Sequence, residues 1–158
     1  MEDEKWMRLA LEQAECAAKL GEVPVGAVIV KDGEVVATAY NTRETEKNAV
    51  HHAELLAIDR ACARLGGWRL WQCDLYVTLE PCPMCAGAII NARIPRIYFG
   101  ASDPKAGSCG SVIDLFSLPY NHKPEVVRGV MQEECAAVLK NFFRRLREAK
   151  ASKRGPES

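Results

Sequence analysis

Apolar positions recur at helical spacing over Glu4 to Leu20. Trp6, Leu9, Ala10, Ala14 and Ala17 fall on one face, and Gly21 closes the segment. The period then changes. Val25 to Val30 is a short apolar run suited to a buried strand, Asp32-Gly33 signals a tight hairpin, and Glu34 to Tyr40 reads as the returning strand. A polar stretch, Thr42 to Ala49, leads into a second helix over Ala53 to Leu65, with Leu55, Ile58, Cys62 and Leu65 as its expected buried stripe and Gly66-Gly67 as its stop. Leu75 to Leu79 reads as a strand, followed by a short helix that opens at Pro81 and runs to about Asn91. Ile94 to Gly100 is another strand, and Ser102 to Gly107 is a loop at its C-terminal end.

Ser108 to Pro119 has no clear period, and a short helix is expected around Val112 to Phe116. Glu125 to Arg128 predicts a last short strand. From Met131 to about Ala149 the helical period returns, with Met131, Cys135, Val138, Leu139, Phe142 and Leu146 expected inside. Lys140, Arg144 and Arg147 fall opposite, with Phe143 at the border. Helices alternating with strands after an opening hairpin predict an α/β layered fold with a mixed sheet.

Two short motifs carry chemistry within this frame. His52-Ala53-Glu54 opens the second helix, and Pro81-Cys82-Pro83-Met84-Cys85 opens the third. A lone Cys-x-x-Cys is compatible with a redox pair or half of a structural zinc site. Cys16, Cys62, Cys73, Cys109 and Cys135 make no second such pair, and a redox motif leaves His-x-Glu unexplained. His-x-Glu followed by Pro-Cys-x-x-Cys is the signature of zinc-dependent deaminases. His52, Cys82 and Cys85 supply imidazole and thiolate, the donors a tetrahedral Zn²⁺ prefers, and three protein ligands leave one position open for water. Glu54 is the candidate for moving the proton from that water to departing ammonia. His52 and Glu54, two apart, point away from each other on a regular helix. They meet at one metal only if His52 lies at the helix entry. Pro81 and Pro83 fit a helix start, where N–H groups have no intrahelical partner.

Composition changes the picture little. At 158 residues, 48% hydrophobic and 27% charged, the chain has the makings of one ordinary globular enzyme domain. The formal charge is zero but uneven. From Lys140 onward seven basic residues stand against two acidic ones, a net of +5, so the rest carries −5. Such asymmetry suits an anionic partner, and equally a solvated helix face. Seven cysteines and an acidic start with no apolar run are expected of a cytoplasmic chain with free thiols, no signal peptide and no membrane span. Residues 1–150 are expected to form the zinc-dependent deaminase domain, and residues 151–158 a disordered basic tail.

Nearly the whole chain, Glu4 to Arg147, resembles the bacterial tRNA-specific adenosine deaminase family of the cytidine deaminase superfamily. The resemblance rests on Gly-Glu-Val-Pro-Val-Gly-Ala-Val at 21–28, Asn41, His-Ala-Glu at 52–54 and Thr-Leu-Glu-Pro-Cys-Pro-Met-Cys-Ala-Gly-Ala at 78–88. It continues through Phe-Gly-Ala-Ser-Asp-Pro-Lys at 99–105, Asn121-His122 and Phe142-Phe143-Arg144. It implies a three-layer α-β-α fold with a mostly five-stranded mixed sheet, assembled as a homodimer. It implies one Zn²⁺ per subunit on His52, Cys82 and Cys85, with Glu54 as proton shuttle. The implied reaction is hydrolytic deamination of the wobble adenosine to inosine in the anticodon stem-loop of an arginine tRNA. Asn41 would touch the flipped nucleoside, Asp103 the sugar of an adjoining nucleotide, and the Phe143 and Arg144 region the anticodon backbone. A deaminase of free guanine, cytosine or a nucleoside would share every zinc residue. The chain departs from the pattern at His51, where the family has a small residue, and at Ser102 and Ser108-Cys109-Gly110.

Overall fold

Five strands form one mixed sheet in the order β2-β1-β3-β4-β5, as seen in a computed structural model that describes residues 2–154. The elements run α1 (Glu2–Lys19), β1 (Gly26–Lys31), β2 (Glu34–Tyr40), α2 (Ala53–Leu65) and β3 (Cys73–Leu79). Then come α3 (Pro83–Asn91), β4 (Arg96–Ala101), a 3-10 turn at Leu115–Ser117, β5 (Glu125–Arg128) and α4 (Gln132–Arg154). β1 pairs antiparallel with β2 and β3, whereas β3, β4 and β5 run parallel. Asp32 and Gly33 turn the hairpin with φ of 51° and 75°, both in the left-handed region a two-residue primed turn requires.

Both sheet faces are apolar because both are covered. Ala27, Ile29, Leu75, Val77, Ile97 and Phe99 point to one side, where Ala53, Ala57 and Ala61 of α2 and Ala86 and Ile89 of α3 meet them. The alternate residues Val28, Val30, Tyr76 and Tyr98 point to the other, against Trp6, Met7 and Ala10 of α1 and Cys135 of α4. This is the expected α-β-α layering. α1 lies so close to β1 that a Cβ on Gly26 would stand 1.9 Å from the Ala10 carbonyl oxygen.

The buried stripe of α2 differs from the expected one. Ala53, Ala57 and Ala61 face the sheet, while Leu55, Ile58 and Cys62 are only half-buried and Leu65 is exposed. Alanines let the helix axis approach the strands, so the larger apolar side chains fall on its flank. Leu146 of α4 is also exposed rather than buried. α4 packs on β4, β3 and α1, and residues 143–153 of its later turns are exposed. The helix expected near Val112 shrinks to the turn at Leu115–Ser117, with Val112 and Ile113 exposed. Residues 151–154, expected as disordered tail, continue α4 as helix. Ala, Lys and Arg are sound helix formers, and no breaker occurs before Gly155. The remainder of that tail, 155–158, lies outside the described residues.

Candidate active site

The site is assembled where two helices begin. His52 is the N-cap of α2 with extended backbone, φ −78° and ψ 153°. It therefore leaves the helical path just before Ala53, as a shared metal with Glu54 requires. Cys82 is the N-cap of α3, at φ −76° and ψ 174°, with Pro83 in the first turn. Proline costs nothing there, because that N–H would have no partner. Cys85 follows one turn on. β3 ends at Leu79 and delivers this turn to the C-terminal edge of the sheet, where α/β folds commonly place their crevice.

His52 Nδ1 stands 3.6 Å from Cys82 Sγ and 3.6 Å from Cys85 Sγ. The three donor atoms all lie within 4.8 Å of one another. A tetrahedral edge between sulfur and nitrogen, built from metal–ligand lengths of ~2.3 and ~2.05 Å, is about 3.6 Å. The spacing thus fits a small tetrahedral cation, and among the described residues no other group of three such side chains converges. The hydrogen bond from Cys85 draws the Cys82 thiol down to about 4, with His52 adding to the effect. The same bond pushes Cys85 up, and bonding to Cys82 raises His52. One thiolate is ready-made at a helix N-terminus, where the partial positive charge favours it. The second thiol gives up its proton when a cation binds.

Glu54 is 4% exposed, and burial pushes its carboxyl up to about 7. A carboxyl that holds and releases a proton near neutral pH is suited to general acid–base work. Glu54, His52 and Cys82 border a cleft of about 220 Å³. Asn41 and Arg43 line it too, with Asp103 and Ala106, and Val23, Val25 and Leu79 supply apolar surface. Asn41 is partly committed: its Nδ2 donates to the Val23 carbonyl at 3.1 Å and its Oδ1 accepts from the Arg43 N–H at 3.1 Å. One N–H and one lone pair are left for a ligand. Asp103 Oδ1 accepts from Lys105 N at 3.0 Å and Ala106 N at 3.3 Å, closing its own turn.

Phe143 and Arg144 lie outside this cleft. Phe143, 41% exposed, lines a separate shallow groove with Lys105, Lys140, Arg147 and Lys150. Arg144 is exposed and is not part of that groove. His51 Nδ1 sits 3.2 Å from Glu46 Oε1 and does not join the donor cluster. Sequence reasoning missed Arg43 as a lining residue, since it sits in a polar loop with no motif of its own. It also missed Lys105 and Lys150 as neighbours of Phe143, a meeting of residues far apart in the chain.

Comparison with known proteins agrees with this geometry. The family model of MafB19-like deaminases matches residues 1–147. A tRNA-specific adenosine deaminase of Bacillus subtilis strain 168 is 51% identical over 154 residues, spanning 97% of this chain and 96% of that protein. The chain belongs to the tRNA-specific adenosine deaminase family. A structure from work on A-to-I editing by tRNA:A34 deaminases at the wobble position of transfer RNA superposes with a TM-score of 0.83 at 47% identity, covering 85% of this chain and 99% of that one. Guanine deaminase from Bacillus subtilis is more distant, with a TM-score of 0.62 and 39% identity over 72% of this chain and 73% of its own. The family and its α/β fold therefore stand on both sequence and structure.

Proposed function

We propose that this protein deaminates the wobble adenosine of a tRNA anticodon loop to inosine. The observation that carries the reading is the meeting of His52, Cys82, Cys85 and the buried Glu54 at one cleft, in a chain 51% identical to a tRNA-specific adenosine deaminase. His52, Cys82 and Cys85 would hold Zn²⁺, which lowers the pKa of a bound water to about 7 when present. Glu54 takes the proton from the attacking water and returns it to the leaving ammonia. Asn41 holds the extruded base through its remaining N–H and lone pair. Asp103 faces the sugar of the next nucleotide. An anticodon loop is already unpaired, so extruding its base costs little.

The groove around Phe143 supports a polyanionic partner. Lys105, Lys140, Arg147 and Lys150 surround one exposed ring, which suits phosphates and a stacked base. We take Phe143 rather than Arg144 as the α4 contact, because Phe143 lines the groove and Arg144 does not. We also infer a cytoplasmic homodimer. No helix among the described residues is long and apolar enough to cross a membrane. Exposed Trp68, Trp71, Val112 and Ile113 offer apolar surface for a second subunit.

The test is to incubate zinc-loaded protein with an anticodon stem-loop bearing ACG, beside free adenosine, cytidine and guanine, scoring inosine and ammonia. Inosine in the stem-loop alone is the expected result. Ammonia from a free base with an untouched stem-loop would move the protein to nucleobase deamination and leave the basic groove as solvated surface.

A further inference from the structure

Glu80 stands between the end of β3 and the ligand turn, two residues before Cys82, and is 2% exposed. Its own N–H is fixed to the Ala101 carbonyl at the end of β4, 2.8 Å away. Its carboxylate borders the cleft but is occupied with the loop that follows β4. Oε1 accepts from the Asp103 N–H at 3.1 Å and from Ser111 Oγ at 2.5 Å. Oε2 accepts from the Cys109 N–H at 3.0 Å and the Ser111 N–H at 3.1 Å. One buried anion thus gathers four donors, three of them backbone groups that cannot rotate away.

The loop is shaped to allow this. A Cβ on Gly107 would lie 2.3 Å from Glu80 Cδ, so the chain passes where only glycine fits. Ser108 N donates to the Pro81 carbonyl at 2.9 Å, tying the same loop to the ligand turn a second time. Gly107 N donates to the Asp103 carbonyl at 2.8 Å, and Asp103 caps its own turn. The Asp103 N–H is therefore registered against the ligand turn by the Glu80 carboxylate, the one side chain that bridges the two, beside the backbone tie through Ser108.

We propose that Glu80 is a positioning residue that fixes Asp103 relative to the metal-ligand turn, and so aligns the neighbouring nucleotide with the base being deaminated. The nucleotide half of this rests on the function proposed above. The loop half rests on geometry alone. Glutamine at this position cannot substitute. Its NH₂ would face Asp103 N–H in one orientation and two N–H groups in the other, leaving a fixed donor unpaired either way. Ser111 can turn its hydroxyl, but the amides cannot turn.

The experiment compares zinc-loaded full-length wild type, Glu80→Gln, Asp103→Ala and the double variant. Ser111→Ala, which removes one donor and keeps the carboxylate, serves as a milder second variant should Glu80→Gln fold poorly. Zinc content should stay at the wild-type level. Amide exchange should quicken in residues 103–111 and not in the sheet. KM for the stem-loop should rise on the order of tenfold, the effect of an unpaired buried donor, with kcat less affected. The double variant should be no worse than the poorer single. Ser111→Ala should show the same pattern more weakly. Loss of zinc, exchange quickening throughout the sheet, or strictly multiplicative effects of the two substitutions would each overturn the proposal. Wild type that leaves the stem-loop untouched would remove the nucleotide half along with the proposed substrate, while amide exchange would still decide whether Glu80 holds the loop.

Discussion

Glu54 and Glu22 show how one residue type takes two roles through its surroundings. Glu54 is buried with its carboxyl pushed up to about 7, so it can carry a proton. Glu54→Ala is expected to retain bound zinc, measured by metal analysis, and to lose ~10²–10⁴-fold in turnover, the usual size of a general acid–base contribution. Retained turnover would remove Glu54 from the chemistry, and lost zinc would make it a ligand. Glu22, 1% exposed, accepts from Glu44 N at 3.1 Å and from Thr45 N and Thr45 Oγ1, each at 2.5 Å. Burial raises its carboxyl, but these bonds to Thr45 and Glu44 more than reverse that, and it sits below the ordinary value. A depressed carboxyl stabilises the fold above its unfolded pKa of about 4.3, and that gain fades as pH falls through the folded value. Glu22→Gln should therefore cost roughly 1–3 kcal/mol at pH 7, the penalty for an unpaired buried donor. The gap in melting temperature between variant and wild type should narrow below about pH 4.3. A gap unchanged by pH would show that the glutamate charge is not what holds the loop.

At the scale of elements, α4 separates its residues by face. Lys140, Phe143, Arg147 and Lys150 share a groove with Lys105, and Arg144 does not. Neutralising Lys140 and Arg147 together should weaken stem-loop binding and flatten its salt dependence, each lost phosphate contact removing about 0.7 from the logarithmic slope for a single strand. Arg144→Ala should change both much less. Equal effects of the two would return Arg144 to the contact surface. The α1–β1 contact makes a second expectation. Gly26 lies under the Ala10 carbonyl with no room for a Cβ, so Gly26→Ala must push α1 away from the sheet. A loss of ~1–3 kcal/mol is expected, as for other overpacked cores, read as a lowered denaturation midpoint.

For the whole molecule, the donor cluster brings together the entries of two helices. His52 arrives on α2 after the hairpin, and the cysteines arrive on α3 after β3. A cation held there would link segments thirty residues apart. Chelating it should lower the melting temperature as well as abolish turnover, since a ligand that binds only the folded state stabilises it by mass action. Re-adding zinc should restore both. An unchanged melting temperature with lost activity would mean that the helix entries are held without the metal.

Much of this was legible from residue order alone. Period changes located the five strands and four α-helices of the described residues, and β2, α2 and β5 matched their expected spans residue for residue. His-x-Glu and Pro-Cys-x-x-Cys named the donor set, because caps and prolines act locally and spacing decides what one turn can present. The rest depended on three-dimensional neighbours. Alanines, not leucines, face the sheet on α2, because the separation between layers decides which side chains fit. Phe143 shares its groove with Lys105, which comes from the loop after β4. Glu80 had no role of its own in the 78–88 stretch, and its hydrogen bonds show it holding a loop more than twenty residues away. The sequence by itself determined the elements and which donor side chains stand at the two helix starts, which are set by local geometry. Only the tertiary structure decided the walls of the cleft, since those bonds exist only once the sheet has brought distant loops together.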